Sequence, residues 1–152
     1  MRLSPNHTLA DLCFSETAVR CGLDNTPPAE LLPNLRTLAE GLEQVRALLG
    51  AALEVSSGYR GNALNEVVGG APASHHVQGW AADFTCPEYG SPLETALALA
   101  ASDIPFDTLI LEYGRWVHLS FAPEARRRVM SIYEDGAGYR DGLWDANGAQ
   151  HA

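Results

Sequence analysis

Ser74-His75-His76-Val77-Gln78-Gly79-Trp80-Ala81-Ala82-Asp83-Phe84 packs two imidazoles, a turn-forming glycine and a carboxylate into one short run. Gly79 to Phe84 reads as a strand, which sets Asp83 on a sheet directly after a polar loop. Upstream, Leu53-Glu54-Val55-Ser56-Ser57 alternates with period two and runs into the Gly58-Tyr59-Arg60 turn. Downstream, Thr108 to Glu112 and Trp116 to Phe121 read as a hairpin, with a third strand around Val129 to Tyr133 beside them. Helices lie in front and between. Ser15 caps a short helix closed by Gly22, and Asp24-Asn25-Thr26-Pro27-Pro28 breaks it. Leu31, Leu35, Leu38, Leu42, Val45 and Leu49 form one apolar stripe of a long helix, while Ser91-Pro92-Leu93-Glu94 is a capping box that opens another helix through about Ala101. The expected fold class is α+β, with helices packed on a small, mainly antiparallel sheet. A single domain spans 1–152, and the Gly- and Asp-rich segment 134–152 is expected to be irregular.

Composition narrows the function. The chain has 152 residues, 46% hydrophobic and 19% charged, enough for one domain with a core. No run approaches the roughly 20 apolar residues of a membrane span. Residues Met1 to His7 lack a charged start followed by an apolar run, so no secretory signal is expected and synthesis would leave the protein in the cytoplasm. A net charge of −9 repels phosphate polymers and argues against a nucleic-acid partner. Cys13, Cys21 and Cys86 have neither metal-knuckle nor redox spacing and read as small thiols in a reducing compartment.

The chemistry sits around the opening stretch. Zinc in hydrolytic sites takes three N/O ligands and leaves the fourth position open. One imidazole from the Ser74-His75-His76 loop, the Asp83 carboxylate and His118 in the later strand make up such a set. By spacing alone, a His pair near an Asp is more often a surface cluster.

Longer motifs extend the pattern. Ser56-Ser57-Gly58-Tyr59-Arg60, Leu64-Asn65, Val68-Gly69-Gly70, the run Ser74-x-His76-x-x-Gly79-x-Ala81-x-Asp83-Phe84 and Trp116-Val117-His118-Leu119-Ser120 together resemble the zinc D-Ala-D-Ala carboxypeptidase family, whose fold is shared with the hedgehog signalling domain. Ser15 to Asn25 and Asn34-Leu35 are similar to the front end of a phage and prophage branch. The resemblance implies one Zn2+ held by His76, Asp83 and His118, and Arg60 as a substrate or oxyanion anchor. It further implies hydrolysis of a peptidoglycan stem peptide, either as a D-Ala-D-Ala carboxypeptidase or as an L-Ala-D-Glu endopeptidase, in a monomeric endolysin that reaches the wall through a separate pore or aboard a virion. His75 falls on a variable position and Ser74 on one that holds the loop, so both are expected around the ligands rather than among them. Tyr59 and Trp116 are expected to line the cleft. A non-catalytic zinc-bearing module and a phage tail component stand as alternatives.

The general base needs a geometric condition. Dipeptidase branches of the resembled family carry an acid three positions before the last His, where this chain has Arg115; Glu112 matches the phage-like branch and is the candidate. Strand side chains alternate, so a two-residue Gly114-Arg115 turn would send Glu112 to the face away from His118. A three-residue loop, Tyr113-Gly114-Arg115, keeps both on one face and is the expectation; failing that, Asp107 or Glu88 would be poorer substitutes. Cys86, His7 and His151 read as bystanders.

Overall fold

A computed structural model describes residues 1–152. Strands β1 (Arg2–Ser4) and β2 (His7–Thr8) pair as a small hairpin. Thr8 and Asp11 form a capping box on helix α1 (Leu9–Cys13), and Ser15 caps α2 (Glu16–Cys21), which Gly22 closes at φ 65°. A 3-10 turn at Ala29–Leu31 leads into α3 (Leu32–Leu49), closed by Gly50 at φ 67°. There follow β3 (Glu54–Ser57), α4 (Asn62–Val67), β4 (Ala81–Thr85), α5 (Pro92–Ala100), β5 (Thr108–Glu112), β6 (Trp116–Ser120), β7 (Arg128–Ile132) and β8 (Arg140–Asp141). The expected capping box at Ser91 and Glu94 is present.

The main sheet has six strands in the order β3-β4-β6-β5-β7-β8. Every neighbouring pair is antiparallel except β5 with β7, so the sheet is mixed. The parallel pair follows from connectivity. β6 ends beside the start of β5, and the link from Phe121 to Arg127 crosses that end before β7 climbs along the far side of β5. The crossing puts Ala125 and Arg127 at φ 46° and 56°, a costly region for residues with a Cβ. Side chains hold it there. Arg126 forks onto Asp107 at 2.9 and 3.0 Å, and Arg127 lies over the Phe106 ring while donating to the Ala100 and Ser102 carbonyls.

One sheet face is the core. Ala82, Phe84, Leu109, Leu111, Val117 and Leu119 are fully buried in one cluster with Leu35, Leu38 and Leu42 of α3 and Ala96 and Leu99 of α5. The opposite face carries Asp83, Ile110, Glu112, Trp116, His118 and Ser120, because the paired residues alternate strictly along β4, β5 and β6.

Five elements have no counterpart in the sequence reading: β1, β2, α1, α4 and β8. All are six residues or shorter, too short to show a hydrophobic period, and α4 lacks a side-chain cap. The segment from Glu134 is largely irregular, yet anchored: β8 pairs with β7, Leu143 is fully buried, and Ser131 Oγ donates to the Gly142 carbonyl. His7, read as a bystander near the terminus, is buried in β2.

Asp107, whose side chain is wholly buried, is held well below the usual carboxylate range, first by the Arg126 hydrogen bonds and also by Thr108. A depressed folded-state pKa stabilises the native chain above the unfolded value and loses that contribution as pH falls through the folded value. Stability should therefore drop as pH is lowered below about 4. Asp107→Asn should cost about 1.5–3 kcal/mol at neutral pH and flatten part of the acid limb; urea titrations at several pH values measure both.

Candidate metal centre

The loop before β4 is shaped to present one imidazole. Ser74 Oγ accepts the His76 backbone N–H at 3.2 Å, and Gly79 turns the chain at φ 78° against Leu35, where a Cβ would come within 3.1 Å. His76, 1% exposed, donates Nδ1–H to the Gly58 carbonyl at 2.7 Å. That bond fixes the tautomer and leaves the Nε2 lone pair free. Asp83 on β4 stands directly opposite His118 on β6.

His76 Nε2, Asp83 Oδ1 and His118 Nδ1 form a near-equilateral triangle with edges of 3.1, 3.0 and 3.2 Å. With the His76 proton on Nδ1, only one proton, from His118, can lie among three electron-rich atoms. A cation satisfies such a set. Tetrahedral zinc with bonds of about 2.0–2.1 Å needs donor separations of about 3.3 Å, so the triangle fits that ion without rearrangement. Burial pushes the Asp83 carboxyl up, but His76 and His118 together hold it well below the usual range, so it is ionised and ready as a ligand.

Around the triangle lies a cleft of about 450 Å3 lined by Arg60, Glu112, Trp116, His75 and Tyr139 among others. The β5–β6 register pairs Glu112 with Trp116 across the three-residue loop Tyr113-Gly114-Arg115, as the alternation argument requires. Glu112 Oε1 consequently lies 3.7 Å from His118 Nδ1. Burial, and after it the Asp83 charge, pushes the Glu112 carboxyl above the usual carboxylate range, against the pull of His118 and Arg60. Arg60 is half-buried, and desolvation lowers its pKa while Asp83 and Glu112 oppose this. Asp107 is enclosed by its ion pair and Glu88 is exposed, so neither reaches the cleft.

The remaining expected neighbours divide. Ser74 supports the His76 backbone as anticipated. His75 bonds Ser120 Oγ at 2.6 Å through Nδ1 and lines the cleft. Tyr59 corrects the expectation: it is 6% exposed, belongs to the core cluster and does not line the cleft, because its backbone N–H is tied to the Leu12 carbonyl at 2.7 Å and its ring turns inward.

Three contributors escaped the sequence reading. Asn25, which reads as part of a helix break, clamps the Arg60 turn by accepting from Gly61 N–H at 2.8 Å and donating to the Tyr59 and Cys13 carbonyls. The Gly58 carbonyl that orients His76 is a main-chain atom and carries no side-chain signal. Tyr139 arrives at the cleft rim from the segment expected to be irregular.

A mixed sheet carrying a His-Asp-His donor set, a carboxylate beside it and a guanidinium across the cleft defines a candidate single-metal hydrolase centre. A family model described as Peptidase M15 matches residues 5–120, and the chain belongs to that family, whose members are zinc peptidases. The matched stretch contains all three donors together with Arg60 and Glu112; Tyr139 lies beyond it. No curated protein matches the chain.

Elemental analysis of the purified protein should find about one zinc per chain, and His76→Ala or His118→Ala should lose it. Zinc at about 100 times its dissociation constant should raise stability by about 2.7 kcal/mol in the wild-type chain and not in those variants.

Proposed function

We propose that this protein is a zinc-dependent peptidase that hydrolyses peptide bonds in peptidoglycan stem peptides, with His76, Asp83 and His118 as the metal ligands. The observation that carries the reading is the place of Glu112, a half-buried carboxylate 3.7 Å from a donor atom of the triangle and on the same sheet face. Zinc bound there supplies Lewis-acid activation of water and polarisation of the scissile carbonyl.

The chain's own groups do the rest. Glu112 takes a proton from the attacking water, whose oxygen bonds to the carbonyl carbon. It then returns that proton to the departing amine nitrogen, so one water is consumed for each amide bond broken. A carboxyl whose pKa lies above the ordinary range is a better base than an ordinary one, and environment produces that shift here. Arg60 donates to substrate oxygen, where charge develops as the carbonyl is attacked. Ser74 and the Gly58 carbonyl keep His76 in place, and Asn25 keeps Arg60 in place. This base geometry favours an enzyme over an inert zinc-bearing module.

The phage-type motifs support a lysis enzyme that meets the wall from inside a cell through a separate pore, or from a virion. No helix is long and apolar enough to cross a membrane. The net charge of −9 gives no attraction to an anionic wall, so the reading places recognition in the cleft rather than in surface adsorption.

Purified sacculi incubated with the zinc-loaded protein should release new amino and carboxyl termini. Glu112→Gln should retain its zinc and lower kcat by about 10²–10⁴-fold. No release by zinc-loaded wild-type protein, or full activity in Glu112→Gln, would overturn the reading.

A further inference from the structure

The cleft over the donor triangle does not end at Arg60. A second hollow of about 540 Å3 adjoins it, and the two share Arg60, Val68, Asp83 and Trp116. Its outer walls are Ser15, Glu16 and Thr17 at the start of α2 and Val55, Ser56 and Ser57 of β3. Each hollow alone has the size of a pocket for a small ligand, which ranges over about 300–1,000 Å3. Together they form a trough crossing the metal centre.

Three features of the trough suit an extended peptide. β3 is the edge strand, paired with β4 only, and no other main-chain hydrogen bond outside the sheet involves Glu54 to Ser57. Its outer edge therefore offers backbone groups to an added strand. Second, Arg60 Nε–H, at the junction of the two hollows, is buried and has no acceptor. Buried donors without partners are rare, and one beside the metal centre fits a carbonyl oxygen arriving with a ligand. Third, Arg60 is the only Arg or Lys in either hollow. An enzyme that trims a free carboxyl end needs its cation at the blind end of the pocket; here the cation stands mid-trough, with space on both sides.

We propose that the second hollow receives the peptide chain beyond the cleaved bond, laid along the outer edge of β3, so that the enzyme cuts within a peptide rather than at its carboxyl end. The inference rests on the peptidase reading above. Arg60 donates to a main-chain carbonyl where the substrate passes from one hollow to the other, against the Trp116 side chain. Thr17 and Glu16 form the rim that the chain must clear.

Two synthetic peptides of one stem-peptide sequence decide it, one with a free carboxyl end and one N-acetylated and C-amidated, each digested by the zinc-loaded full chain. The blocked peptide should be cut internally with kcat/KM within about tenfold of the free one. Thr17→Trp, which narrows the second hollow, should raise KM for the blocked peptide about tenfold or more, with kcat within about threefold and one zinc retained. Should that variant lose its zinc, Glu16→Trp at the exposed rim makes the same comparison. Cleavage of the free-carboxyl peptide alone overturns the inference and leaves the peptidase reading standing. Cleavage of neither peptide overturns both. Internal cleavage with an unchanged KM in the zinc-retaining variant overturns the β3 route.

Discussion

Antiparallel pairing of β4 with β6, with Asp83 opposite His118, is the constraint on which the rest of the molecule depends. Successive strand residues face opposite ways, so the register that points Asp83 and His118 to one side points Ala82, Phe84, Val117 and Leu119 to the other. Those four are fully buried against the helices. Burying a Val, Leu or Phe side chain contributes about 1.5–3 kcal/mol, so a slip of one residue would expose several such groups and dismantle the donor set in the same step. The core therefore enforces the site's geometry. The three-residue β5–β6 loop extends the same parity to Glu112.

Charge in the site is set by two carboxyl groups and one guanidinium. Asp83 and Glu112 raise each other's cost of ionisation inside a half-buried cleft, and Arg60 is the one permanent cation lining it. Asp83 remains ionised through its two imidazoles, while Glu112 is driven up by burial. Two carboxyl groups on one sheet face are thus driven in opposite directions by environment alone, Asp83 down and Glu112 up, as the proposed ligand and base roles require. The β3–β4 register shift between Val55 and Ser57 sits beside Asp83 and bends the chain into the Gly58–Arg60 turn. A Cβ on Gly58 would collide with the Leu12 carbonyl oxygen, so only glycine lets this turn pass under α1 while its own carbonyl receives His76.

Much of the scaffold is legible from short windows of sequence. The Ser15 and Ser91 caps, the Gly22 stop and the leucine stripe of α3 are local signals, each carried within a few turns of chain, and each appears in the structure. Glu112 is legible in another way, because side-chain parity turns a loop length into a statement about which face an acid occupies. What stays hidden depends on distant partners. Tyr59 looks like a cleft residue beside Arg60 until Leu12 draws it into the core, and Asn25 looks like a helix breaker until Gly61 reaches it. The parallel β7 is hidden because the Arg126 and Arg127 clamps that stabilise its crossing bind Asp107 and the carbonyls of Ala100 and Ser102 at the end of α5 and just beyond it.

The sequence by itself determined α2, α3 and α5 and the strand alternation, which follow from periodicity and cap signals along the chain, while the family resemblance marked the candidate donors and Glu112 and side-chain parity set the loop that Glu112 needs. Only the tertiary structure decided that the donors meet. His118 lies 35 residues from Asp83 and 42 from His76, and their 3.0–3.2 Å separations arise from sheet register and a carbonyl contact that no local pattern encodes. The same holds for the trough across Arg60. A cleft is the space left between α2, β3 and the site face, and space between elements exists only once they are packed.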